Sequence, residues 1–174
     1  VNNLVCWAFT TSQVRLLSDG MAWRPLVHIA DISHAFHVAL EAPQGVVHNQ
    51  AFNIGMQGEN YLVKDLADIV SEEVPGCEVV YGEGSTADNR SYQVSFDKFA
   101  KACPEFSPTW DVRRGVRQLY GEFMKAGLSL ADFQGQRYVR LNYLNYLMES
   151  KLVGDDLRWE GEHGNISDET RRGL

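Results

Sequence analysis

Long apolar runs are missing from this sequence. No stretch approaches the roughly eighteen uninterrupted apolar residues of a membrane-spanning helix, so a membrane is not an expected partner. Cysteine is scarce and odd in number. Cys6, Cys77 and Cys103 are widely spaced and form no CxxC pair, which argues against a disulfide framework or a zinc site. Buried thiols in a reducing compartment fit better, and the cytoplasm is the expected location. Basic residues are outnumbered, 16 Lys+Arg against 23 Asp+Glu, for a formal net charge of −7. Such a surface repels a polyanion, so nucleic acid is not an expected partner either, although a local group of arginines can still hold a small anion. The sequence also lacks G-x-G-x-x-G, a P-loop, a G-x-S-x-G elbow and H-E-x-x-H. The opening VNNLVCWAF has no basic n-region and no small-residue cleavage site, so a signal peptide is not expected. It has no initiator Met and reads as the interior of a helix, so the expectation is of a chain continued from a preceding N-terminal part.

What is present is an ordinary globular mixture: 174 residues, 44% apolar and 22% charged. Residues 1–10 read as a helix, Val14 to Leu17 as a short strand, and Ser18-Asp19-Gly20 as a turn. Residues 24–29 read as extended, since Pro25 keeps Arg24 out of helical geometry. Asp31 is the expected N-cap of a helix whose inward face is Ile32, Ala35, Phe36, Ala39 and Leu40, with Pro43 and Gly45 at its end. Residues 51–54 read as a buried strand closed by Gly55. A helix is expected over 62–74 and a strand over 77–81, followed by a polar loop, GEGSTADNRS, over 82–91. Ser95 is the expected cap of a short helix through Cys103, and Asp111 of a longer one that stops at Gly127. A last helix is expected over 135–150 with Tyr138, Leu141, Leu144 and Leu147 or Met148 inward. Strands alternating with helices indicate an α/β protein.

Few side chains suggest chemistry by themselves. His34 and His37 share a helix face but have no third ligand nearby, so a solvated face is the better reading and no metal site is expected. His28 lies among apolar residues and reads as a satisfied core histidine. Arg24 opens an extended segment and Arg90 closes the polar loop. A guanidinium is a rigid fork of donors that matches a phosphate, so two of them on separate loops can clamp a diphosphate. The alternative is ion pairing at the surface, with Asp31 and Asp88.

The stretch VRLLSDGMAWRPLVHIADISHAFHVAL, Val14 to Leu40, resembles the strand, D-G turn and R-[DP]-x-x-H-[VI]-x-D of extended short-chain dehydrogenase/reductases. Asn2-Asn3-Leu4 resembles the N-N-L that opens their substrate-side helix, and Phe52-Asn53-Ile54-Gly55 their F-N-[IVL]-G strand. Asn60-Tyr61 with LVKDLADIV, Asp88-Asn89-Arg90-Ser91-Tyr92, and Trp110-Asp111 through Tyr120 resemble the elements that follow, in the same order. The resemblance covers about residues 2–125, and it is to the NAD-dependent nucleotide-sugar epimerases and dehydratases.

The resemblance implies the C-terminal part of a Rossmann-fold enzyme. That part is a small mixed α/β substrate-binding domain with one strand, 51–54, returning to the nucleotide-binding sheet. It divides the chain into a substrate-binding half, 1–127, a C-terminal helical extension, 128–158, and a polar tail, 159–174. It implies that Asn3 and Leu4 contact the substrate diphosphate, that Leu16 with its strand neighbours borders the base, and that Arg24 and Arg90 grip the phosphates with Asp88 and Tyr92 close by. It also implies NAD or NADP held by a missing N-terminal half, a nucleotide-diphosphate sugar as ligand, and a homodimer in the complete enzyme. The family's Tyr-x-x-x-Lys pair has no counterpart here: Tyr61 has Lys at +3 and Tyr120 has Lys at +5. No catalytic residue is therefore assigned to this chain. Arg24-Pro25 departs from the common R-D, which points away from the galactose epimerases and toward a related dehydratase, epimerase or reductase. A stand-alone binding or structural module without catalysis is the competing expectation. The exposed remainder of such a half predicts marginal stability and self-association.

Overall fold

The computed structural model describes residues 1–86 and 90–160. They fall into two units, divided between Ala126 and Gly127. In the first, α1 (Asn2–Thr11) buries Val5, Cys6 and Ala8, and ends where Ser12 turns left-handed, φ 56°, and returns its N–H to the Ala8 carbonyl. Strand β1 (Gln13–Ser18) alternates, with Val14 and Leu16 inward and Arg15 and Leu17 outward. The Asp19 carboxylate accepts from the Met21 N–H at 3.0 Å and closes the turn. Gly20 is required there on two counts. Its φ is +74°, and an added Cβ would stand 2.8 Å from the Lys64 Cβ.

β2 (Trp23–Pro25) pairs antiparallel with β3 (Asn60–Leu62), placing Arg24 opposite Tyr61. Between them run α2 (Ile29–Glu41) and the single turn α3 (Gln44–Val47). After β3 come α4 (Val63–Glu73), β4 (Glu78–Thr86), α5 (Asp97–Ala102) and α6 (Val112–Ala126). β4 pairs parallel with β1. Val5, Ala8, Val14, Leu16, Leu66, Val70 and Val116 form one core, in which α1, α4 and α6 pack on that strand pair. Ala35, Val38, Phe99, Cys103 and Phe106 form a second, anchoring α2 and α5. The three cysteines are free thiols, and burial pushes each above its ordinary value.

Several expectations are corrected. Asp31 is not the N-cap of α2. The helix starts three residues earlier because His28 caps it, Nδ1 accepting from the Ala30 N–H at 3.1 Å. Asp31, 4% exposed, instead accepts from the backbone N–H groups of Thr109 and Trp110, each at 3.1 Å. Asp31→Ala would orphan both donors, so a loss of about 2–3 kcal/mol is expected in urea denaturation. The expected inward face of α2 also splits. Asp31, Ala35 and Val38 face the core, whereas Ile29, Phe36 and Leu40 are 68%, 68% and 85% exposed.

Residues 51–54 belong to no strand. A buried parallel strand needs ladders on its edges, and no other described segment offers one. Ala51 and Asn53 are exposed, while Phe52 is held edge-on to Phe99. Ile29, Phe36 and Leu40, exposed on α2, give the expected self-association a surface on which to test it. Sedimentation of Phe36→Asp/Leu40→Asp is expected to give less association than the parent chain, and equal association would contradict it.

The supposed loop from 82 begins as strand. β4 runs on to Thr86, which partners Ser18 past a register shift between Leu16 and Ser18. Ser95 is not the helix-capping position: α5 begins at Asp97, whose N–H reaches the Ser95 hydroxyl at 3.3 Å. Asp111 does cap α6, accepting from the Arg114 N–H at 2.7 Å.

In the second unit, the helix expected over 135–150 begins only at residue 140, and a separate short helix precedes it. A capping box between Ser129 and Asp132 starts α7 (Leu130–Gln134), and those hydrogen bonds hold the Asp132 carboxyl below its ordinary value. Gly135 ends α7, and α8 (Arg140–Glu149) follows with Leu147 buried. Tyr138 and Leu141, expected inward, are 45% and 65% exposed.

Candidate functional site

Antiparallel pairing of β2 with β3 leaves the outer edge of β2 to the segment that follows β4. The Ser91 hydroxyl accepts from the Trp23 N–H at 3.0 Å, and the Tyr92 N–H donates to the Trp23 carbonyl at 3.4 Å. Two residues on, the Asn60 carboxamide receives the Val94 N–H at 2.8 Å and returns a bond to its carbonyl at 3.0 Å. Residues 90–94 are thus strapped along the small sheet. Within this strap the Arg24 guanidinium donates to the Trp23 carbonyl at 2.7 Å and to the Arg90 carbonyl, and lies 5.9 Å from the centre of the Tyr92 ring. Arg24, Arg90 and Tyr92 therefore stand together. Asp88 lies outside the described residues.

Leu26, two residues beyond Arg24, lines a cavity of about 660 Å³. That is within the size range of small-molecule sites. Three helix N-termini converge on it: Val1, Asn2 and Asn3 from α1, His28 and Ile29 from α2, and Asp111 and Val112 from α6. Each N-terminus presents backbone N–H groups and a positive dipole end. His28 caps α2. Asp111 and Glu59 satisfy α6, the latter accepting from the Val112 N–H at 3.0 Å. No side chain caps α1.

One wall is built by a stack. The His28 ring lies 3.9 Å from the Trp110 ring at 9°, and its Nε2 meets the Gln118 side-chain oxygen at 2.7 Å. Because Nδ1 accepts from Ala30, the proton is assigned to Nε2, which donates to Gln118. His28 is thus a half-buried cap and wall residue, not the core histidine expected.

Glu59, 6% exposed, also accepts from the Tyr61 hydroxyl at 2.8 Å. Burial pushes its carboxyl above the ordinary 4.5, against the pull of the Tyr61 and Val112 donors, and Asp111 adds to the rise. Burial and the Glu59 hydrogen bond push the Tyr61 hydroxyl up as well. A raised carboxyl pKa means that the folded chain holds the proton more tightly than the unfolded one. This contribution to stability is full below 4.5 and is lost as pH rises through the raised value. Glu59→Gln is expected to flatten the pH dependence of urea midpoints in that window, and an unchanged slope would contradict this.

The remaining site residues named from sequence fall as follows. Asn3 lines the cavity, and Leu4 packs against the first core. Leu16 is 2% exposed inside that core, so its side chain borders no opening; the outward residue of the strand is Leu17, 80% exposed. Glu59, Trp110 and Gln118 were not anticipated. Nothing in the spacing of a single glutamate or glutamine announces a cavity wall. His28 and Trp110 belong to recognisable motifs, but their stacking is a tertiary fact. Among the described residues no group of three or more His, Cys, Asp or Glu side chains stands close enough to hold a metal ion, and no helix is long and apolar enough to cross a membrane.

No curated protein matches the sequence. Solved structures that share its fold include the following. The L-threonine dehydrogenase of Clostridium difficile matches 73% of this chain with 14% identity and a TM-score of 0.60. The NAD dependent NDP-hexosamine 5,6-dehydratase TunA, of tunicamycin biosynthesis, matches 71% with 17% identity and a TM-score of 0.58. RMD from Pseudomonas aeruginosa, solved with NADPH, matches 72% with 14% identity and a TM-score of 0.54. The chain spans only 40%, 39% and 41% of their respective lengths. Residues 2–55, from α1 through α2 to Gly55, match the sequence model of the NAD dependent epimerase/dehydratase family. Over that segment the chain is similar to the NAD dependent epimerase/dehydratase family, and its fold is one that these solved structures share.

Proposed function

We propose that this chain is the substrate-binding part of an NAD(P)-dependent epimerase, dehydratase or reductase that acts on a nucleotide-diphosphate sugar. The observation that carries the reading is the strap at β2. It holds Arg24 against the Arg90 backbone and beside Tyr92, two residues before Leu26, which lines a cavity together with Asn3. Arg24 and Arg90 would grip the diphosphate, Asn3 and the first amides of α1 would complete its contacts, and Asp88 and Tyr92 would lie close by. Leu4 and Leu16 would support this site through the core that seats α1 and β1.

The residues of this chain do not fit a dinucleotide site. There is no G-x-G-x-x-G in the sequence, and β1 leaves its sheet through the Ser18-Asp19-Gly20 turn. NAD or NADP would therefore be held by a further, N-terminal nucleotide-binding half, with the complete enzyme a cytoplasmic homodimer. Proton and hydride transfer would belong to that half. This part contributes binding energy remote from the reacting carbon, which serves catalysis by positioning. A thermal-shift series with UDP-glucose, dTDP-glucose and GDP-mannose tests the reading. Stabilisation by at least one, and by none of the matching free nucleosides, is expected. No response to any of the three would overturn it.

A further inference from the structure

β2 presents alternate residues to its two sides. The Ala22 carbonyl accepts from the Val63 N–H at 3.0 Å and the Leu26 N–H donates to the Glu59 carbonyl at 2.9 Å, so these residues face the β3 side. Trp23 faces the strap through both its N–H and its carbonyl. By the alternation of an antiparallel pair Pro25 faces the strap as well, and a proline has no N–H to give. The strap edge of β2 therefore lacks a donor just past Trp23. Asn60, the register partner of Pro25, stands in for it. Its carboxamide, half-buried, takes the Val94 N–H at 2.8 Å and donates to the Val94 carbonyl at 3.0 Å. A carboxamide carries a donor and an acceptor side by side, as a strand edge does. The bonds of Ser91 and Arg90 to β2 are exposed, and that of the Tyr92 N–H is long at 3.4 Å. Further along, Phe96 is 4% exposed, and its ring lies so near Gly55 that an added Cβ there would stand 2.6 Å from it. Without Asn60 the firm hold on this segment begins only at Phe96, and Arg90 and Tyr92 are left on the exposed and long bonds.

We propose that Asn60 is a positioning residue for the ligand: from β3 it supplies the hydrogen bonding that Pro25 cannot, and so sets the strap that carries Arg90 and Tyr92 beside Arg24. The proposal rests on the nucleotide-sugar reading above. Asn60 touches no ligand in it. Its effect is that Arg90 and Tyr92 are in place before a ligand arrives, so binding does not bear the cost of ordering them. The role is tied to the residue opposite, because Asn60 matters where residue 25 offers no donor. Pro25→Ala returns a backbone N–H to the strap side of β2. Removing the Asn60 carboxamide therefore does less harm in Pro25→Ala than in the parent chain, a coupling that a double-mutant cycle measures.

The test joins calorimetric titration with amide hydrogen exchange, on the parent chain, Asn60→Ala, Pro25→Ala and Pro25→Ala/Asn60→Ala. The ligand is whichever of UDP-glucose, dTDP-glucose and GDP-mannose the parent chain binds. Asn60→Ala is expected to bind it about three- to ten-fold more weakly, the effect of a neutral hydrogen bond, and to exchange the Val94 and Tyr92 N–H groups faster. The double variant is expected to recover part of both. Asn60→Ser, which keeps a single polar arm, should fall between Asn60→Ala and the parent. Unchanged affinity alongside faster exchange at Val94 overturns the positioning role, since the strap is then loosened without consequence for the ligand. Unchanged exchange at Val94 overturns the anchor itself. A loss as large in the Pro25→Ala background as in the parent overturns the compensation for proline. Failure of the parent chain to bind any of the three ligands is the different result that removes the nucleotide-sugar reading, and the positioning role with it.

Discussion

Phe99→Ala is expected to destabilise the first unit by about 3–5 kcal/mol, the range for emptying a buried aromatic site. Phe99 is 2% exposed and among the largest side chains fully buried in the chain. Its ring stands edge-on to Phe52 at 5.3 Å and to Phe106 at 5.1 Å, so it joins the 51–55 segment, α5 and the chain leading to Trp110. Removing it leaves two aromatic rings without their shared partner beside Ala35 and Val38, which are too small or too stiff to close the space. At this chain length the loss corresponds to a fall in Tm of roughly 10 °C. Phe99→Leu should forfeit only part of it. Urea denaturation of both variants decides the matter. A change below about 1 kcal/mol for Phe99→Ala would mean that the second core is not a structural anchor.

Arg24→Ala is expected to weaken nucleotide-sugar binding by roughly ten- to a hundred-fold, and to do more harm than Arg90→Ala. A charged hydrogen bond to phosphate contributes about 1.5–3 kcal/mol, and each 1.4 kcal/mol is a factor of ten. The asymmetry comes from the geometry. Arg24 holds the Arg90 main chain through its carbonyl, so truncating Arg24 removes one guanidinium and loosens the mount of the other. Truncating Arg90 leaves that carbonyl, and Arg24, in place. The double variant should lose less than the sum of the single losses, because the two side chains share one support. Titration of the three variants reads this directly. Equal, small effects from both single variants would contradict it, and Arg24→Lys should recover charge without the planar fork.

Much of this arrangement was legible in the residues. β1 announces itself by alternation, α4 and α6 by apolar residues at helical spacing, and Gly20 and Gly127 by their turns. Both glycines do adopt positive φ. The motifs that place Arg24, Arg90 and Tyr92 on successive segments of one family pattern anticipated their proximity, which no spacing rule would have given. What escaped was decided by tertiary partners. The face of α2 was misjudged because Phe36 and Leu40 are as apolar as Ala35 and Val38, and only the packing of Phe99 and Phe106 selects between them. Residues 51–54 have the composition of a buried strand, yet a strand exists only where a neighbour supplies hydrogen bonds. Asp31 reads as an N-cap, because a short acidic residue ahead of a helical run usually is one. Here the carboxylate reaches across to backbone 78 and 79 residues away. The cavity carboxylate of Glu59 leaves no trace in periodicity at all.

The most direct measurement is phosphorus NMR of UDP-glucose titrated with this chain, because it watches the diphosphate that Arg24 and Arg90 are proposed to hold. Both phosphorus resonances are expected to shift and saturate, and Arg24→Ala should move the saturation point to higher protein concentration. Resonances that stay in place while the chain remains folded, with dTDP-glucose and GDP-mannose equally unaffected, would contradict the proposal that this chain binds a nucleotide-diphosphate sugar.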